Sequence, residues 1–585
     1  MSTMTDHVIS SSGMRGSPQG AVLAALRGED IPLDLSVPAA TEYVQHCSEA
    51  LDSLDPGDTL GGIRLRTAQI IGGAPLYSTP QDLLRAADSA DAVRERAGED
   101  GSAVAHAYAL AAWGFTRQGP EHTDERVRAA TFIVETAADA GESALLAAGY
   151  ALLLVGLLEQ GEIRSLDAQL LEQRVAASLR DGAAHDTPAQ WLYCLRSILD
   201  GDAEAAEAQA EAMFAAAPAE GTDARALYST RIGMIRWMQG RLDGAEEGFL
   251  AARREHPEQL LWAASLAWLW LLQGRRSSAE NLRATFPDVT EIPHNRYWLS
   301  TVTVLAEHAL VSGDRAEAEK LRTILVPFAA HLVPVGVGVA FWGTCARSLG
   351  LVEEFLGYLD AARTHLELAV EMCGRLGALA WHAEAQIELA EFGIRHGIAD
   401  IPAYELLAEA RMTSEARGFA ALARRAMHRP RIRVLGGFEV ISLCGTRAEW
   451  NSRKARELLK MLIAARGAAA SREVFMDVLW PGEAPATLGN RFSVAVNVIR
   501  RALDPQRLLP TQHHLVTEGD SVWLNLDHLD VDLETFFALA EAPDEASRRA
   551  AAELYRGDAF ADEPYADWAT RVRERAQHVR SRLGD

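Results

Sequence analysis

Seven glycines recur along the middle of this chain at nearly fixed intervals: Gly161, Gly201, Gly240, Gly274, Gly313, Gly357 and Gly397, spaced 40, 39, 34, 39, 44 and 40 residues apart. Each follows an apolar, helix-patterned run and opens another. A period of this size constrains the fold strongly. A single helical hairpin of that length cannot bury its apolar face alone, so it must stack on a neighbour of the same kind. The expected fold class is therefore mainly α, with six stacked hairpins over residues 145–428 and a less regular helical cap over 21–144. Apolar residues make up 48% of the chain, enough for real cores. Residues 1–20, rich in Ser, Thr and Gly, read as a disordered leader.

Within the period, Gly233, Ala245, Phe249, Ala252 and Pro257 fall at the offsets of the small and large positions of a tetratricopeptide (TPR) repeat. Gly350, Ala362, Leu366 and Ala369 repeat the first four. Small residues let two helices approach, and large ones fill the space between hairpins. The expectation is a TPR-like α-solenoid, whose usual work is to bind a peptide or protein in its concave groove. Trp237, Trp262, Trp268, Trp270, Tyr297 and Trp298 concentrate in this stretch. They either line a ligand pocket or, as Trp at helical spacing more often does, pack between hairpins.

After residue 428 the pattern changes. Two β-patterned runs, 431–435 and 438–441, are split by Gly436-Gly437; three helical patterns follow, and a β-patterned pair ends at Leu526. Strands, three helices and a terminal hairpin is the element order of a winged helix-turn-helix, a device for placing one helix in a DNA groove. Residues 429–528 are the expected DNA-binding domain. Projected at 100° per residue, Leu488, Phe492, Ala495, Val496, Ile499 and Leu503 form one apolar stripe. Opposite lie Asn490, Ser493, Val494, Asn497 and Arg501, flanked by Arg491, Val498 and Arg500. Asn pairs with adenine, Val meets a thymine methyl, and Arg takes guanine or phosphate. Asn490, Arg491, Val494 and Asn497 are thus placed near base edges and Arg500 and Arg501 near phosphates, with Ser493 on the same DNA-binding face. The chain's net charge of −24 hides a local excess. Residues 429–528 hold 14 basic and 10 acidic residues, a net of +4, against 43 basic and 71 acidic elsewhere, a net of −28. An acidic body repels phosphate and suppresses non-specific DNA binding, although it also keeps a large Ala-rich protein in solution.

Residues 431–526 resemble the winged-helix domain of the SARP-type regulators (Streptomyces antibiotic regulatory proteins), itself related to the OmpR-type output domain. The matching pieces are Leu435-Gly436-Gly437-Phe438-Glu439-Val440, the helix from Arg453 to Leu459, Leu479-Trp480-Pro481, Asn490, and Arg500-Arg501-Ala502-Leu503. Residues 529–585 resemble the opening of the helical bacterial transcriptional activator domain (BTAD). Its marks are Val531-Asp532 with Phe536, Leu554-Tyr555-Arg556-Gly557, and Pro564-Tyr565-Ala566-Asp567-Trp568. The resemblance implies a transcriptional activator that binds promoter direct repeats in double-stranded DNA. It implies contact with RNA polymerase through the loop Pro481-Gly482-Glu483-Ala484-Pro485, which on turn chemistry alone is an ordinary turn. Many relatives carry Arg where this chain has Val498. Only about the first third of the activator domain is present, and its usual role is to form a homodimer.

Other chemistries find no footing in the sequence. The five cysteines are far apart and make no C-x-x-C pair, which fits a reducing cytoplasm and no metal site. The longest apolar run, Ala144 to Leu158, has 15 residues, short of a membrane span. The three lysines, Lys320, Lys454 and Lys460, follow no glycine, so no phosphate-binding loop exists and no cofactor is expected. No catalytic motif suggests an enzyme. His513-His514 reads as exposed loop before the terminal hairpin, or, if protonated, as a phosphate contact. The resulting expectation is a bacterial, cytoplasmic DNA-binding regulator whose helical array receives a protein, peptide or small-molecule signal. The alternative is an adaptor whose winged helix binds protein.

Overall fold

Ala-, Leu- and Glu-rich stretches with a 3.6-residue apolar period satisfy their backbone groups most readily as helices, and helices dominate the protein. The computed structural model describes residues 18–33, 35–178, 187–216, 224–241, 245–336, 338–427, 429–443, 446–483, 485–505, 507, 509–542 and 545–583. Most of the expected leader, together with Cys444 and Ala484, lies outside the described residues. Among those described, 27 α-helices stand against eight short strands. Contacts divide the chain into two compact units, Met1–Gln386 with Met412–Leu422, and Ile387–Arg411 with Ala423–Asp585.

The first unit opens with α1 (Pro18–Leu26), α2 (Val37–Ser53), α3 (Thr59–Gly72), α4 (Pro80–Asp100), α5 (Ala103–Thr116) and α6 (Thr123–Ala140). Helical hairpins follow: α7 (Ser143–Gln160) with α8 (Ile163–Ser178), α9 (Thr187–Leu199) with α10 (Ala203–Ala216), and α11 (Ala224–Met238) with α12 (Ala245–Glu255). Then come α13 (Leu260–Leu272) with α14 (Arg276–Arg283), and α15 (Trp298–Ser312) with α16 (Arg315–Leu325). After strands β1 (Leu332–Val335) and β2 (Ala340–Thr344), α17 (Cys345–Leu356) pairs with α18 (Leu359–Leu376). Three further helices follow along the chain, α19 (Leu379–His396), α20 (Ala403–Arg417) and α21 (Ala420–Ala426), of which residues 387–411 and 423–426 belong to the second unit. The seven periodic glycines all lie between consecutive helices, with φ between +65° and +94°. That left-handed backbone ends a helix and is open to glycine without strain, so the sequence period is the period of helix stops. First helices of neighbouring hairpins pack together, as α7 does with α9, α13 with α15, and α15 with α17.

The expected cap is part of the same packing, because α4, α5, α6 and α7 pack in succession. The 15-residue apolar run belongs to the longer α7, which has the length and composition to cross a membrane. Its apolarity has a packing cause: α6, α8, α9 and β1 surround it, and Leu145, Ala148, Leu154 and Leu158 are fully buried. The expectation of an almost wholly helical array is corrected at residues 332–344. There β1 and β2 form a buried antiparallel hairpin that packs on α7, α11, α15 and α18. Val-rich, Gly-punctuated sequence favours strand and turn over helix here. The array also closes back on itself within this unit. A Cβ on Gly201 would lie 2.6 Å from the Phe419 ring, and one on Gly240 2.9 Å from Ala421 Cβ.

The two repeat glycines differ. A Cβ on Gly350 would lie 2.9 Å from Leu366 Cγ, which is the close helix approach its position predicts. A Cβ on Gly233, inside α11, would meet nothing within 4 Å. Glycine inside a helix destabilises it by roughly 0.5–1 kcal/mol relative to alanine, so close approach does not explain Gly233.

In the second unit β3 (Arg431–Arg433) and β4 (Glu439–Ile441) precede α22 (Arg453–Ala464), β5 (Ala470–Ser471), α23 (Arg472–Leu479) and α24 (Pro485–Leu503). Next are β6 (Leu515–Glu518), β7 (Ser521–Leu524), β8 (Asp530–Val531), α25 (Asp532–Glu541), α26 (Glu545–Leu554) and α27 (Asp567–Arg582). Ser452 caps α22 by accepting the Ala455 N–H at 3.2 Å, and Ser471 caps α23 through Glu473 N–H at 3.3 Å. The strands form two small sheets, ordered β4-β3-β8 and β5-β7-β6.

The boundary expected at residue 528 falls inside one core. Strand β8 pairs in parallel with β3, and Asp532 accepts the backbone N–H groups of Val434 and Leu435 at 2.9 and 3.0 Å. Phe536, Phe537 and Phe560 share a buried cluster with Leu458, Leu462, Ile499 and Leu503. Lys460, 1% exposed, donates to Glu563 at 3.0 Å, pairs with Asp562, and lies 5.0 Å from the centre of the Phe438 ring. The Gly436-Gly437 turn has its own cause: at φ +83°, a Cβ on Gly436 would sit 2.9 Å from the Arg556 carbonyl carbon. Helices 531–582 are thus built into the module before them.

Candidate nucleic-acid interface

Helix α24 sets the site because its sequence has two faces and only one has neighbours. Leu488, Phe492, Ala495, Val496, Ile499 and Leu503 are all buried, the last two completely. They pack the helix on α22, α23 and β4. Asn490, Arg491, Ser493, Asn497 and Arg501 are exposed, and Val494 is 55% exposed although apolar. Val498 is half-buried at the edge of the core. Arg507, exposed in the turn after α24 at φ +55°, adds a cation at the same end of the helix. Nothing in the sequence pattern singled it out.

The cations on this face are not equally free. Arg491 Nη1 donates to both carboxylate oxygens of Glu483, at 2.7 and 2.6 Å. The pair is about half exposed, so it holds Arg491 weakly, by about 0–1 kcal/mol. It also ties the expected polymerase loop, whose Pro481, Gly482 and Glu483 are exposed, to the expected DNA face. Arg500, expected near phosphates, is held by the protein itself. It is half-buried, and its Nη2 donates to the Leu515 carbonyl at 3.1 Å and to Thr517 Oγ1 at 3.2 Å. Burial lowers its pKa and leaves its Nε without an acceptor. This arginine braces the β6–β7 hairpin against α24. Arg501 carries no such contact.

The β6–β7 hairpin ends in Glu518-Gly519-Asp520, with Gly519 at φ +56°. Its tip is acidic, and Asp520 pairs with Arg472. His513 and His514 are not the exposed pair expected. His513 stacks on His528 with ring centres 3.8 Å apart, and its carbonyl lies 3.0 Å from His528 Nδ1. His514 is 5% exposed, and burial, reinforced by His513 and His528, pushes its pKa down to about 4. It is neutral at pH 7 and brings no charge to phosphate.

The aromatic residues of the first unit separate. Trp237, Trp262 and Trp268 line a cavity, while Trp270 donates its indole N–H to Glu246 at 2.8 Å and Trp298 packs between His294 and Phe328. The described cysteines Cys47, Cys194, Cys345 and Cys373 are buried and unbridged. Among the described residues no group of three or more His, Cys, Asp or Glu side chains is placed to hold a metal ion. Set against known proteins, the chain matches no protein-family model and no curated protein significantly.

Proposed function

We propose that residues 429–583 form a winged-helix module of the SARP type that binds double-stranded promoter DNA and regulates transcription, with α24 as the recognition helix. The observation that carries this reading is the two-faced α24. Its buried stripe fixes the helix in a core, and the opposite face presents Asn490, Ser493, Val494, Asn497 and Arg501 together, without competing packing. An exposed Val between two exposed Asn residues is poor surface chemistry for solubility alone and good chemistry for base edges. In support, strands β5, β6 and β7 form one small sheet, with β5 packed on α23, and the proposal takes this sheet as the wing. The exposed turn Pro481-Gly482-Glu483 is the proposed contact with RNA polymerase, and activation is the proposed outcome. The stacked hairpins of the first unit supply a TPR-like sensor, and the proposed site of action is the bacterial cytoplasm.

A second reading keeps the same module as a protein-binding adaptor. The acidic hairpin tip, Glu518 and Asp520, and the Glu483–Arg491 pair favour it, because each places carboxylates where phosphate would lie. Salt separates the two. Selection of genomic DNA fragments by the full chain, then anisotropy titrations at 50 and 200 mM salt, are expected to yield a repeated motif bound with a steep salt slope. Asn497→Ala is expected to cost about 1–3 kcal/mol and to relax specificity at one base. No enriched motif, with the fold intact, would transfer the case to the adaptor.

A further inference from the structure

We propose that the cavity lined by five tryptophans in the first unit binds a flat organic cation, a planar aromatic amine or similar lipophilic ammonium, and that this is the small-molecule effector site of the regulator. Only the word effector rests on the DNA-binding reading; the site itself does not.

The cavity opens to solvent, and the empty space within it and at its mouth together amounts to about 770 Å³. Trp237 and Trp262 come from the hairpin helices α11 and α13, Trp268 from α13, Trp381 from α19, and Trp342 from β2. The β1–β2 hairpin therefore gives the array a wall that stacked helices alone would not have. The rings brace one another. Trp237 and Trp381 lie 5.2 Å apart between centres, Trp268 and Trp342 meet edge to face at 5.1 Å, and Phe341 holds Trp381 edge to face at 5.1 Å. Such a cage is preformed, so a ligand need not order it.

Gly233 shows that the space is kept open. It stands in the cavity wall, inside α11, where glycine weakens a helix and where no neighbour demands its small size. A larger residue there would project into the void. Close packing of interiors otherwise leaves few gaps of this size.

The charge in the wall selects the ligand. Arg347 Nη1 lies 2.5 Å from Glu307 and its Nε 3.2 Å from Glu384, so two carboxylates face one guanidinium. Indole faces carry negative quadrupole charge and attract cations. Both features oppose a buried anion and favour a planar cation that stacks on indole and faces a carboxylate.

The test uses the full chain without DNA, titrated by calorimetry with three tricyclic probes of equal size: 9-aminoacridine, a cation at pH 7.5, neutral acridine, and anionic anthracene-9-carboxylate. The expected result is one saturable site for 9-aminoacridine, about tenfold or more tighter than for the carboxylate. Gly233→Leu, which fills the cavity from a position with free space, is expected to abolish binding while the circular dichroism spectrum and thermal midpoint hold. Glu307→Gln is expected to retain binding but to shrink the preference for the cation to about threefold or less. Absence of a saturable site, equal binding of the anion, or full binding by Gly233→Leu would each overturn the proposal. Saturable cation binding in a chain that selects no DNA motif would overturn the DNA-binding reading alone and leave the site standing.

Discussion

Phe536→Ala tests whether the C-terminal helices share a core with the proposed DNA-reading helix. Phe536 sits in α25, beyond the expected domain boundary, and is fully buried, 5.4 Å from the Tyr555 ring and 5.5 Å from Phe537. Removing such a ring typically costs about 3–5 kcal/mol, because the transfer energy is lost and the surrounding side chains collapse only partly into the gap. A module of this size is stable by about 5–15 kcal/mol in total, so the loss is a large fraction of it. If one core unites residues 429–583, the loss appears wherever amides exchange through global opening of the module. At 1.36 kcal/mol per decade, protection is then expected to fall by about two to four orders of magnitude in α22 and α24 as well as in α25 and α27. Hydrogen exchange read by mass spectrometry on the full chain resolves these helices. Unchanged protection in α24, with loss confined to residues after 530, would refute the single core and restore a boundary at 528.

Five further substitutions test individual residues. Arg501→Ala is expected to weaken DNA binding uniformly and to lower the salt slope by about one, whereas Arg500→Ala is expected to loosen the β6–β7 hairpin at a cost of about 1–3 kcal/mol, read by chemical unfolding. Glu483→Gln releases Arg491 from an exposed ion pair and is expected to tighten DNA binding about two- to fivefold in anisotropy titrations; weaker binding would refute the competition between carboxylate and phosphate. His514 titrates near 4 when folded and near 6.5 when unfolded, so the unfolded chain takes up the proton first. Stability is therefore expected to be full above about pH 6.5 and to fall by about 3 kcal/mol as pH drops toward 4, an increment that the unfolding curves of His514→Gln lack. Gly436→Ala forces a Cβ to within 2.9 Å of the Arg556 carbonyl carbon at a positive φ, and is expected to lower the thermal midpoint of the second unit measurably.

The helical array was legible because its punctuation is chemical. Gly161, Gly313 and Gly357 each stand at a helix C-terminus with left-handed φ, and glycine is the residue that reaches that conformation without strain. The β1–β2 hairpin was not legible, since Leu332-Val-Pro-Val and Ala340-Phe-Trp are short apolar runs that periodicity cannot assign to strand or helix. Closure of the array was hidden for a different reason. The contacts of Gly201 with Phe419 and of Gly240 with Ala421 join residues more than 180 positions apart, and such pairings leave no trace in local pattern. The same limit concealed the shared core of the second unit. Val531-Asp532 reads locally as the start of a helix, and only the folded chain shows Asp532 capping the end of β3.

At the candidate site, periodicity sorted α24 into faces because burial of one stripe is a property of the helix itself. It could not rank the cations on the other face. Arg491 and Arg500 lie on the exposed side of the projection as Arg501 does, yet one meets Glu483 eight residues away across a turn and another reaches a strand fifteen residues on. Neither separation is a helical repeat, so neither contact belongs to the pattern that found the face. The difference decides which arginine can neutralise phosphate without cost to the fold. Arg501 has only solvent to leave, Arg491 must leave a weak ion pair, and Arg500 must abandon two hydrogen bonds that hold the hairpin. A DNA-binding comparison built on Arg500 would therefore confuse lost contact with lost structure, and the clean measurement of phosphate recognition is the one made at Arg501.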